Sequence, residues 1–306
     1  MNVYVCIMCV MYVESIDVYR THLNGSSSPF GHFHFVLNGQ YKMLLDTGSQ
    51  AAWIKAPAVG NEYACNVSLV YGTDGPNRNS IETNTCAEMR LQSGNVAWKS
   101  NLAIANKGVT WWQGDGIVGA SMNSDFTRMF PIFTIEPRWG RYDLYVGRFQ
   151  PDLRCVYLPI TPRGIATGKW IVEGRIKGGP VEEFEVDTGF PPIGISRRAW
   201  HDAVDIIRHR GGVVTGERIG GYGQVVRNCH SLNRVIPEVN YCFKTNENIN
   251  ACVSVYPKSF ATQTTPGVCV VYVLPHDGEY NYVGSALLRD FAIRFDAQRK
   301  RIGLCK

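Results

Sequence analysis

Two short stretches decide how this chain reads: Tyr41-Lys42-Met43-Leu44-Leu45-Asp46-Thr47-Gly48 in its first half and Phe184-Glu185-Val186-Asp187-Thr188-Gly189 in its second. Each is a strand-like run ending in Asp-Thr-Gly, the first apolar after Lys42 and the second alternating. At average residue usage, one such tripeptide arises by chance in a chain this long roughly one time in fifteen, and two in well under about one per cent. The surroundings repeat as well. Gly116-Ile117-Val118-Gly119 follows the first turn and Tyr282-Val283-Gly284 the second, each with two apolar residues closed by glycine. Both halves therefore read as a strand, an Asp-Thr-Gly turn, further strands and an apolar-apolar-Gly strand end.

Composition agrees with a strand-rich chain. At 306 residues, about two domains of roughly 150 residues are expected. Charged residues make up only 19%, with 31 Gly and 15 Pro scattered throughout, which suits short strands and turns and excludes disorder, collagen and coiled coil. The net charge of +5 comes with no focused basic patch, so neither nucleic acid nor a stable membrane anchor is expected. Strands are expected at Gly31 to Leu37, Ser68 to Tyr71, Tyr142 to Val146 and Val268 to Leu274. Helical periodicity is scarce. It is clearest over Arg197 to His209, with Trp200, Ala203, Val204, Ile206 and Ile207 on one face and Gly211-Gly212 as the stop. A short second helix is expected over Gly284 to Phe291.

Ten cysteines point to an oxidising compartment. Met1 to Val13 carries no charge and reads as the apolar core of a signal peptide ending near Ser15, although no Lys or Arg precedes it. Cys6 and Cys9 within it form a CxxC, without the second CxxC or strand-to-helix context that a metal or redox pair wants. Cleavage there leaves an even set of cysteines at 65, 86, 155, 229, 242, 252, 269 and 305. Asn24-Gly25-Ser26 and Asn66-Val67-Ser68 are glycosylation sequons. The expected division is a signal peptide at 1–15, a first lobe at 16–156 and a second at 157–306, with the boundary near Arg154 to Pro159. No metal or other cofactor is expected: His32 and His34 share a strand face but lack a third ligand, and no Walker loop, Gly-x-Ser-x-Gly or His-Glu-x-x-His occurs. Trp111-Trp112 suits a substrate subsite or buried packing, and Arg299-Lys300-Arg301 a solvated hairpin turn.

A single Asp in a turn is ordinarily a cap or an Asx-turn. Two in matching contexts mean more. Apolar strands drive each carboxylate inward, Gly permits a tight reversal, and Thr offers a hydroxyl that can lock the turn. If pseudo-twofold symmetry brings the turns together, like charges in contact cannot both ionise near neutral pH, so the pair shares one proton. One carboxylate can then act as base on a bound water while its protonated partner donates to a carbonyl oxygen.

On these residues the chain resembles the pepsin-like, two-lobed aspartic proteases from about residue 30 onward. Asp46-Thr47-Gly48-Ser49 with Trp53 resembles the first catalytic motif of that family, and Val70-Tyr71-Gly72-Thr73 resembles its flap hairpin. Asp115 to Gly119 resembles the strand threaded behind the first turn. Tyr282-Val283-Gly284, Leu287 to Phe291, Phe295-Asp296 and Arg301-Ile302-Gly303 resemble its C-terminal signature. The resemblance implies an all-β, bilobal fold with a cleft between the lobes. It implies an aspartic endopeptidase acting on peptide or unfolded protein at acidic to mildly acidic pH, secreted or in a lysosome-like compartment, and monomeric.

Asp46 and Asp187 would activate the water. Thr47, Gly48, Ser49, Thr188 and Gly189 would support the catalytic turns, with Ser49 favouring ionised Asp46, and Tyr71, Gly72, Thr73 and Trp53 would serve the flap and substrate. By the same resemblance Cys229 pairs with Cys269. Hairpin geometry adds Cys65 with Cys86 and Cys242 with Cys252, leaving Cys155 for Cys305. The second motif departs from the family. Phe190 stands where Ser or Thr is usual, so Asp187 loses a donor and activity should move toward higher pH or be lost. A catalytically silent protein binding peptide or protein in the same cleft is therefore the alternative.

Overall fold

A computed structural model describes residues 16–20, 33–55, 61–71, 79–94, 96–105, 114–138, 141–147, 153–190, 193–219, 223–247, 249–276 and 281–306. The expectations placed on Met1 to Ser15 with Cys6 and Cys9, on Asn24, His32, Gly72 and Thr73, and on Trp111-Trp112 lie outside the described residues. Among those described, strands dominate and helices are short, as an all-β chain requires. They form one sheet of thirteen strands and one of ten.

The repetition in the sequence is a repetition of topology. Strand Tyr41–Asp46 runs parallel to Gly116–Gly119, with Met43 opposite Gly116 and Asp46 opposite Gly119. Gly116–Gly119 in turn lies antiparallel to Ala52–Ile54, the strand that follows the first turn. In the second half, Glu182–Val186 runs parallel to Asn281–Val283, which lies antiparallel to Ile193–Ser196. Each later strand thus threads between the two arms of its turn. Met43, Leu44 and Leu45 are all buried, because a strand covered on both faces needs a continuous apolar run instead of alternation. Gly119 is required by closeness: a Cβ there would lie 2.6 Å from the carbonyl oxygens of both Ser49 and Ala51.

The division near residue 156 separates the repeats but not the sheets. Strands Cys155–Pro159, Arg301–Cys305 and Ala292–Asp296 complete the thirteen-stranded sheet, where Ala292–Asp296 pairs with Ile132–Arg138 from the first half. At this seam Phe133 stacks on Phe295 at 4.7 Å, and Trp170 meets them edge-on at 6.1 and 5.0 Å. All three rings are fully buried, each contributing about 2–3 kcal/mol.

The helix over Arg197–His209 forms as expected, capped by the Ser196 hydroxyl accepting from Ala199 N–H and stopped at Gly211, whose φ is +86°. Trp200, Val204 and Ile207 are buried and Ala203 packs beside them, whereas Ile206 is 42% exposed. At 100° per residue Ile206 points well away from that face, which corrects its inclusion. Gly284 to Phe291 does not form an α-helix. It holds one 3₁₀ turn, Leu287–Arg289, because strand Ala292–Asp296 begins before a second turn can close. Among the described residues four disulfides form, Cys65–Cys86, Cys155–Cys305, Cys229–Cys269 and Cys242–Cys252, as expected. Cys155 with Cys305 and Cys242 with Cys252 are direct partners in antiparallel ladders. No helix among the described residues is long and apolar enough to cross a membrane.

Candidate active site

The two Asp-Thr-Gly turns meet. Thr47 N–H donates to the Thr188 hydroxyl at 3.0 Å, and Thr188 N–H donates to the Thr47 hydroxyl at 2.9 Å. Each hydroxyl then donates onward into the opposite half: Thr47 to Val186 O at 2.8 Å, Thr188 to Leu45 O at 2.6 Å. Both threonines are fully buried, where a satisfied polar network is rigid and specific. Their hydroxyls therefore lock the opposite turn to their own. Sequence reading assigned each hydroxyl to locking its turn, and the cross-over goes beyond that.

This lock sets the carboxyls side by side. A Cβ built on Gly48 would lie 2.5 Å from Asp187 Cγ, and one built on Gly189 would lie 2.5 Å from Asp46 Cγ. Glycine is needed at both positions because each backbone is packed against the carboxyl of the other half. Gly48 N–H donates to Asp46 Oδ1 at 2.9 Å, and Gly189 N–H to Asp187 Oδ1 at 2.8 Å. Ser49 Oγ donates to Asp46 Oδ2 at 2.6 Å, the contact expected of it. Phe190 gives Asp187 no counterpart, its ring stacking instead on Tyr282 at 4.7 Å.

Asp46 is buried, while Asp187 keeps a small part of its surface open to solvent even though protein atoms crowd its carboxyl. The Asp187 carboxyl is held well above the usual carboxylate range. Burial is the first cause, followed by the charges of Asp46 and Glu185 and a hydrogen bond with Asp46, against which only the Gly189 N–H works. Asp187 is thus inclined to keep a proton beside Asp46.

A groove of about 640 Å³ opens beside the first turn, with Gly48, Ser49, Tyr63, Asn101, Arg128 and Lys169 among its walls. Its roof is the long hairpin of Asn61–Tyr71 and Asn79–Ser93, with Cys65, Val67 and Leu69 on one face of the first arm turned toward it. Tyr71 ends that arm opposite Asn79. Trp53 is fully buried in a cluster with Leu44, Ile81 and Ile117, so it supports the hairpin from below and does not line the groove. Asn66 is exposed on the opposite face of the arm from Cys65 and Val67.

Sequence reading passed over Lys169, Asn101, Asp125 and Arg128 at the groove, and Glu185 behind Asp187. Of these only Glu185 carried a signal: it stands two residues before Asp187 and so shares its face of the strand. Among the described residues no group of His, Cys, Asp and Glu converges as metal ligands. The chain matches no protein-family model, and no curated protein matches it significantly.

Proposed function

We propose that this protein is an aspartic endopeptidase of the pepsin-like, two-lobed kind, in which Asp46 and Asp187 activate a water against a peptide bond held in the cleft. The observation that carries this reading is reciprocal: each turn's glycine packs on the other turn's carboxyl at a distance that admits no side chain. Two carboxyls so placed share one proton, as aspartic proteases in general require. The ionised member takes a proton from water as the oxygen attacks the carbonyl carbon, and the protonated member donates to the carbonyl oxygen. The tetrahedral intermediate collapses when the amine leaves with a proton returned by the dyad. The groove bordered by the paired strands Asn61–Tyr71 and Asn79–Ser93 offers an extended peptide a wall that includes Gly48 and Ser49 of the first turn. Four disulfides suit a secreted or lysosome-like location, and a monomer needs no partner to complete the dyad.

The silent-binder alternative would gain ground if Phe190 pushed the carboxyl aside. Its ring instead packs on Tyr282, and Gly189 N–H still holds Asp187. Cleavage of a denatured protein between about pH 3 and about pH 6, blocked by pepstatin and lowered at least about 10³-fold by Asp46→Asn, is the expected result. Peptide binding without cleavage at any pH would overturn the peptidase reading.

A further inference from the structure

Glu185 is an unexpected residue in its setting. Its strand, Glu182–Val186, runs through the centre of the second sheet, and its side chain is 1% exposed. Its neighbours Phe184 and Val186 are buried and apolar. A buried carboxylate is costly unless it is paired, and Lys169 Nζ lies 3.0 Å from Glu185 Oε2. Backbone pairing places this lysine: Ile171 is opposite Glu185, and Val186 N–H donates to Trp170 O at 2.9 Å, so Lys169 falls alongside Asp187. Glu185 and Asp187 are two residues apart on an extended chain, which puts both on one face roughly 7 Å apart along the strand.

We propose that the Lys169–Glu185 ion pair is a positioning element of the dyad: Lys169 keeps Glu185 ionised behind Asp187, and that fixed negative charge helps the two catalytic carboxyls hold their shared proton. This rests on the dyad reading above. The Glu185 charge acts on Asp187 in the same direction as that of Asp46. Other charged or titratable groups nearby are the Arg163–Glu183 pair at 3.7 Å, Tyr282 opposite Glu185 with His276 against it, and Asp125 with Arg128 in the groove. Glu183, two residues before Glu185, and Tyr282, its ladder partner, lie on that same strand face, and the Glu183 charge is met by Arg163; Asp125 and Arg128 stand apart in the groove. The consequence is a dyad that keeps one proton to higher pH than it would beside an apolar residue, adding to the loss of a donor at Phe190.

Carbon-13 NMR titration of protein labelled at its aspartate carboxyls reads this directly, with Asp187→Asn assigning the resonance. In Glu185→Gln, Asp187 should release its proton at a pH lower by about half to one unit. In Glu185→Asp, which keeps the charge, it should titrate close to the unmodified protein. If Glu185→Gln does not fold, Glu185→Leu, which removes the charge and leaves Lys169 in place at the part-exposed end of the pair, should show the same downward direction. An unchanged Asp187 titration in the folded variant, or an equal shift in Glu185→Asp, would overturn the proposal. The titration needs no turnover, so a protein that cleaves nothing would sink the peptidase reading while still testing this one. If the protein does cleave, the alkaline limb of kcat against pH moves down in parallel.

Discussion

In the first turn the residue after Asp-Thr-Gly is Ser49, whose hydroxyl holds Asp46; in the second it is Phe190, whose ring lies on Tyr282. Around that one difference the two turns are matched. Threonine hydroxyls cross in both directions, each glycine N–H donates to its own aspartate, and each glycine abuts the opposite carboxyl. The backbone is therefore symmetric while the electrostatics are not. Asp46 has a hydroxyl donor and Asp187 has a buried glutamate behind it, so the neutral form is favoured at 187. Symmetry of scaffold brings the carboxyls together, and asymmetry of surroundings sets Asp187 apart from Asp46.

Gly48→Ala and Gly189→Ala test the matched part most severely. Either methyl would land on a carboxyl group, and displacement of about 1 Å costs roughly 10²-fold in turnover. Measured kcat should fall alike in both, and a wide gap between them would break the symmetry. Asp187→Asn tests the electrostatic difference through stability. A carboxyl whose proton affinity is raised by folding stabilises the protein at low pH and withdraws that stability as pH rises through its folded value. The amide cannot ionise, so the variant should melt several degrees higher than the parent at about pH 7 and no higher at about pH 3. The smallest effect is expected of Phe190→Ser. A hydroxyl there favours ionised Asp187, so the pH profile of kcat should move downward by a fraction of a unit to about one unit. An unmoved profile would assign the asymmetry to Glu185 alone.

Much of this was readable from residues. The tripeptides, the later apolar-apolar-Gly strands and the helix over Arg197–His209 depend on local pattern, and the structure reproduces their placement. Cys242 with Cys252 followed from hairpin geometry, since partners across a ladder are fixed by the turn between them. Other features depend on which segments meet. The Lys169–Glu185 pair joins the strand Glu182–Val186 to the segment just before Ile171–Ile176, and nothing in either segment announces the other. Ile206 misled because an apolar residue at a helix edge carries the same letter whether it is covered or not. Trp53 was placed with the flap and substrate by likeness of motif, and its burial in a cluster against the hairpin's first arm depends on which strands meet over it.

The strand Arg301–Cys305 lies between Cys155–Pro159 and Ala292–Asp296, and through the latter the sheet continues into the first half. A chain lacking the strand Ala292–Asp296 would leave Ile132–Arg138 paired on one side only, with Arg141–Val146, and one face of Phe133 uncovered. The first half therefore completes its sheet only with strands supplied by the second. The Cys155–Cys305 bridge, across a separation of 150 positions, ties together the two strands that close this end of the sheet.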